Sequence, residues 1–86
     1  MFYWIHPIYI ANWQDEVVVY QEQSGNTHLF SGVSGKIIKR HIDNHGFSKQ
    51  DIINDNTNLF CNTLEANSFI DSLLTVLIQK DLIFST

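Results

Sequence analysis

Apolar positions alternate with polar ones through the first third of the chain, and after residue 30 they recur at helical spacing. The run Val17-Val18-Val19-Tyr20 is β-branched and aromatic, a composition that suits a pleated, packed surface. Ser24-Gly25-Asn26 follows, where Gly25 and Asn26 can take the positive φ values of a tight reversal, and Thr27-His28-Leu29-Phe30 reads as the returning strand. Upstream, Ile8 and Ile10 alternate with Tyr9 and Ala11, which predicts a further strand that turns at residues 12–15 into the hairpin. Pro7 cannot sit in a central strand, so residues 1–7 form an N-terminal edge or lid segment packed on the same domain.

Beyond Phe30, Val33, Ile37, Ile38, His41 and Ile42 predict a helix that Ser31 or Ser34 caps and Gly46 closes. Ser48-Lys49-Gln50-Asp51 imitates a capping box with Asp in the fourth place, opening a short helix around Ile52 and Ile53 that dies in residues 54–58. The last helix is capped by Thr63, has Glu65 at its positive end and Lys80 near its negative end. At 100° per residue, Phe69, Ile70, Leu73, Leu74, Val76, Leu77 and Ile78 cover an arc of roughly 200°, where a surface helix needs about 100°. That helix is either buried on two sides or has an apolar flank to spare. Leu82-Ile83-Phe84 then forms a short strand or an extended tail that packs back. Strands, a helix, a brief helix and a long third helix outline an α+β winged helix-turn-helix: a small three-stranded antiparallel sheet, three helices and a short apolar tail.

Length and composition narrow the function. Eighty-six residues make one domain, 1–86, burying about 60–65% of its unfolded surface. With 44% hydrophobic and 16% charged residues the chain is not disordered, and its low charge leaves room for an apolar partner surface. A formal charge of −4 opposes non-specific nucleic-acid binding. Between Lys49 and Lys80 there is no Lys or Arg, so the third helix lacks the groups that read bases and phosphates, and Lys36, Lys39 and Arg40 read as a solvated face. One cysteine, Cys61, excludes an internal disulfide, and the apolar start lacks a positive n-region and is too short to span a bilayer. These features place the protein in the cytoplasm.

No catalytic or metal constellation stands up. His41 and His45 stand four apart, a metal-ligand spacing, but no third ligand has matching spacing. Cys61 has no evident base, Ser24-Gly25 and Ser34-Gly35 lack a nucleophile elbow, and residues 32–35 lack the Gly-Lys-Ser/Thr ending of a phosphate loop. The sequence therefore reads as non-enzymatic, with no cofactor and no metal. A small sheet with an unpaired edge can accept an extended peptide as a further strand, and the wide apolar arc of the last helix could line that edge.

Asp15-Glu16-Val17-Val18-Val19-Tyr20 followed by Ser24-Gly25-Asn26-Thr27-His28-Leu29-Phe30 resembles the PqqD-like family. Within it, the motif is nearest to the subgroup encoded alongside a kinase-like protein related to HPr kinase (the HPr-rel-A system). The likeness extends more loosely from Trp13 to Phe84, with Asp81-Leu82-Ile83 in place of the family's closing Gly-Leu-Ile. Asn26 stands where Asp is usual, Phe30 where Leu is usual, and Gly35 where Ala is common. The resemblance implies a RiPP recognition element. Such a domain is a non-catalytic chaperone that binds the leader of a ribosomally made precursor peptide by strand addition and presents it to a modifying enzyme. Carried over, the peptide-binding residues are Thr27, His28, Leu29 and Phe30 on the strand and Phe69, Leu73, Val76 and Leu77 on the helix. The implied partners are the leader and a modifying enzyme or the HPr-kinase-related protein. The alternatives are an interaction or dimerisation subunit of a kinase-like complex and an acidic winged-helix transcriptional regulator. A homodimer through the N-terminus or the sheet edge would hide the same groove.

Overall fold

The computed structural model describes residues 1–44 and 46–86. Strand β1 (Phe2–Trp4) is followed by β2 (Ile8–Trp13), β3 (Glu16–Gln21) and β4 (Thr27–Ser31). Helices α1 (Gly32–His41), α2 (Lys49–Asp55) and α3 (Thr63–Gln79) come next, a single 3-10 turn (Thr57–Leu59) lying before α3, and β5 (Ile83–Ser85) ends the order. The result is the predicted α+β arrangement, a three-stranded antiparallel sheet followed by helices.

In the sheet order β2-β3-β4, Val19 pairs with both Ile10 and His28, and Val17 with both Asn12 and Phe30. Period-two alternation turns Val17, Val19 and Phe30 inward, where all three are buried, and α1 packs across β3 and β4 on that side. Gly35 allows this close approach: a Cβ there would lie 3.1 Å from the Phe30 carbonyl oxygen and 3.3 Å from a Val17 methyl. Of the β3–β4 turn residues only Gly25 takes a positive φ (74°), and the Gln21 N–H donates to the Asn26 carbonyl across the loop base.

The helix ends partly follow expectation. Ser48 accepts from the Asp51 N–H (3.1 Å) while the Asp51 carboxylate accepts from the Ser48 N–H (3.0 Å), a complete capping box with Asp in the Glu position. On α3 the cap is Asn62, not Thr63: its Oδ1 accepts from the Glu65 N–H at 2.8 Å, and Thr63 is the first helical residue. Ser31 occupies the α1 N-cap through its backbone and makes no side-chain cap bond. Gly46 does not close α1, which ends at His41. It lies instead under the Tyr3 ring, where a Cβ would come within 2.8 Å of a ring carbon.

Residues 1–7 do pack on the same domain, and more deeply than a lid. Phe2–Trp4 pairs antiparallel with Ile83–Ser85, and Phe2 and Phe47 exchange backbone bonds. The Trp4 indole N–H donates to the His41 carbonyl at 2.9 Å. Buried Gln21 joins the two sheets by donating to the Asp81 (2.9 Å) and Ile5 (3.3 Å) carbonyls. Between α3 and β5 the Leu82 N–H reaches the Leu77 carbonyl and the Asp81 N–H the Ile78 carbonyl, while Asp81 sits at φ 58°. This is a Schellman turn, and its left-handed residue is the position where the resembled family carries Gly.

One buried polar cluster ties α1 to α2. Asn56 Nδ2 donates to the Ile52 carbonyl (2.7 Å) and to His41 Nε2 (3.1 Å). The other ring nitrogen, Nδ1, lies 3.0 Å from the side-chain amide nitrogen of Asn44. Burial pushes the His41 imidazole below the usual histidine range, and Asp55, 4.0 Å off, offsets only part of this. An unfolded histidine titrates near ~6.5, so below that pH the unfolded chain takes up the proton first. Stability is therefore complete above about pH 6.5 and falls as pH drops toward the lower folded value. His28, lowered by burial and by Lys80, adds in the same direction. The urea midpoint is expected to be lower at pH 5.5 than at 7.5, with most of the loss retained in His28→Gln. A midpoint that is flat or higher at pH 5.5 would refute the assignment.

Candidate functional site

β4 is an edge strand: β3 pairs with one side of it and no other described strand pairs with the opposite side. Because antiparallel residues alternate between bonded and non-bonded pairs, the Gln21–Asn26 bond places His28 and Phe30 in bonded pairs with β3. The backbone N–H and C=O groups of Thr27 and Leu29 then point away from the sheet. Their side chains are exposed on its outer face, whereas His28 and Phe30 face the helices.

Beside this edge lies an apolar hollow of about 200 Å³, lined by Phe30, Ser34, Phe69, Ser72, Leu73 and Val76. The wide arc of α3 divides as follows. Ile70, Leu74 and Leu77 are buried in the core, Phe69 and Val76 are half-buried at the hollow, and Leu73, 6% exposed, serves both. Ile78, 42% exposed, belongs to neither. Phe69 is held from behind by Phe60, whose ring centroid is 5.4 Å away.

Of the residues named from sequence, the structure therefore brings Phe30, Phe69, Leu73 and Val76 together at one hollow, next to the free backbone edge of Thr27 and Leu29. Leu77 points into the core. His28 is half-buried on the inner side, its Nε2 shielded from solvent without a hydrogen-bond partner. Ser34 and Ser72 were missed. Both are small and polar, and only the facing of two helices turns them into the walls of an apolar hollow.

Other candidate chemistry does not assemble. No three His, Cys, Asp or Glu side chains among the described residues gather closely enough to hold a metal ion, and His45 of the His41–His45 pair lies outside the described residues. Cys61 is exposed. Arg40 is occupied by the Asp55 carbonyl, and Lys49 by Asp71 at 2.7 Å. A hollow of about 480 Å³ lies between the β2–β3 turn and α1, with Asp15, Glu16, Lys36 and Lys39 in its lining. Its mixed charges favour no single class of ligand. None of the described helices is long and apolar enough to cross a membrane.

No protein-family model and no curated protein matches the sequence. Solved structures share its fold. TbiB1 in complex with the TbiA(beta) leader peptide superposes with a TM-score of 0.82 at 18% identity, covering 98% of this chain and 96% of that one. Lasso peptide synthetase B1 complexed with the leader peptide superposes with a TM-score of 0.76 at 21% identity, covering 98% of each chain.

Proposed function

We propose that this protein is a RiPP recognition element, a non-catalytic module that binds the leader segment of a precursor peptide. The bound peptide becomes a further strand on β4 and is presented to a modifying enzyme. The observation that carries this reading is the free β4 edge lying directly beside the hollow of Phe30, Phe69, Leu73 and Val76. Backbone bonds to Thr27 and Leu29 hold an extended peptide whatever its sequence, and a side chain entering the hollow selects it. That both fold neighbours are leader-peptide complexes favours the same reading. The HPr-kinase-related protein is one candidate for the enzyme partner.

The test is a titration of the isotopically labelled chain with leader peptides from neighbouring reading frames. The Thr27 and Leu29 amides are expected to shift most and to gain protection from hydrogen exchange, because they face the added strand. The His28 and Phe30 amides, bonded to β3 already, should gain less protection. Failure of every candidate leader to move these signals at high micromolar concentration would end the proposal.

A further inference from the structure

The sheet has a second side, which the peptide edge does not use. Register places Tyr9, Ala11 and Trp13 of β2, Glu16, Val18 and Tyr20 of β3, and Thr27 and Leu29 of β4 on the face turned away from the helices. Four of these are large and open to solvent: Trp13 is 69% exposed, Leu29 61%, Tyr9 55% and Tyr20 38%. The Tyr9 and Tyr20 rings stack at 6.3 Å, so the face is ordered before anything meets it. These four side chains expose on the order of 500 Å², near the upper end of the largest apolar patch on a typical monomer, about 300–600 Å².

Charge decides what fits. Residues 1–35 contain no Lys or Arg, and the only acids among them, Asp15, Glu16 and Glu22, stand at the margins of this face. Glu22 accepts a bond from the Tyr9 hydroxyl at 3.2 Å. All five cations of the chain lie in residues 36–80; Lys36 and Lys39 share a hollow with Asp15 and Glu16, and Glu22 stands at the other end of the face from them.

We propose that the outer face of the β2-β3-β4 sheet is the docking surface for a second protein, one presenting an apolar centre bordered by Lys and Arg. A second copy meeting this face symmetrically would bring acid against acid, and phosphate-rich surfaces of nucleic acid or anionic lipid are repelled by the same carboxylates. Arginine is attracted both to those carboxylates and to the faces of Trp13 and Tyr9. A stable interface covers about 800 Å² per partner, so an apolar centre of this size with Glu16, Glu22 and Thr27 as polar rim has the required extent. The face shares only β4 with the peptide edge. A strand added there would extend it by alternate side chains, so peptide and protein can be held together.

The full chain and a Trp13→Glu/Tyr9→Ser variant, both changes on β2 and away from the peptide edge, are titrated calorimetrically against the purified product of each adjoining gene, at 50 and 500 mM NaCl. One product is expected to bind, at least about thirty-fold more weakly to the variant and more weakly at high salt. Both substituted side chains are exposed, so the variant should melt within a few degrees of the parent. Its leader titration reports separately on the groove: loss of protein binding with retained leader binding supports the second surface. The proposal is overturned if no product binds, if the variant binds as the parent does, or if binding ignores salt. It is equally overturned if sedimentation shows the parent dimeric and the variant monomeric, which would assign the face to a second copy.

Discussion

Trp4→Ala is expected to lower the thermal unfolding midpoint by roughly 15–25 °C, the largest effect of any single substitution in the N-terminal segment. Trp4 is 4% exposed, packs on Phe47 with ring centroids 5.7 Å apart, and donates its indole N–H to the His41 carbonyl. Removing a buried indole costs about 3–5 kcal/mol in cavity and transfer terms, and the His41 carbonyl loses its partner as well. Against a net stability of about 5–10 kcal/mol for a domain of this size, that is a large share. Circular dichroism melts provide the check. Should the variant not accumulate, Trp4→Phe keeps most of the packing while deleting the hydrogen bond and part of the ring volume, with a shift of roughly 4–10 °C expected. A shift below about 3 °C in Trp4→Ala would mean that residues 1–7 are a dispensable lid.

That expectation separates what the sequence discloses from what it conceals. Val17, Val19 and Phe30 announce their face by alternation and Gly25 announces the turn, because both are local properties of a few consecutive residues. The capping box of Ser48 and Asp51 is legible for the same reason, as is the apolar arc of α3. The pairing of Phe2–Trp4 with Ile83–Ser85 joins segments some eighty residues apart, each too short to show a period. The place of Gly46 under Tyr3 depends on that pairing, so its reading as a helix stop fails along with it. The arc of α3 reveals its excess width but not the direction of the spare flank, which is set by where β4 lies. The aromatic outer face is concealed differently. Tyr9, Trp13 and Tyr20 look like ordinary strand residues until the register puts them on one side of a sheet whose other side is already covered.

The groove offers the second large effect. Ser72→Phe is expected to weaken leader binding at least thirty-fold while moving the melting midpoint by no more than about 3 °C. Ser72 is exposed on α3 and lines the 200 Å³ hollow opposite Phe30, so a phenyl group at that position fills the space without entering the core. The substitution leaves the backbone edge of Thr27 and Leu29 untouched. It therefore separates the two contributions to binding: strand addition, which any extended peptide can make, and the side-chain pocket, which selects one. Isothermal titration with the same leader against the parent, Ser72→Phe and Ser72→Ala measures this. Ser72→Ala should bind within about three-fold of the parent, since a serine hydroxyl at the rim of an apolar hollow contributes little that water does not supply. Parent-like affinity in Ser72→Phe would show that peptide held on β4 does not use this hollow. In that case selectivity has to come from the outer face, where Leu29 projects.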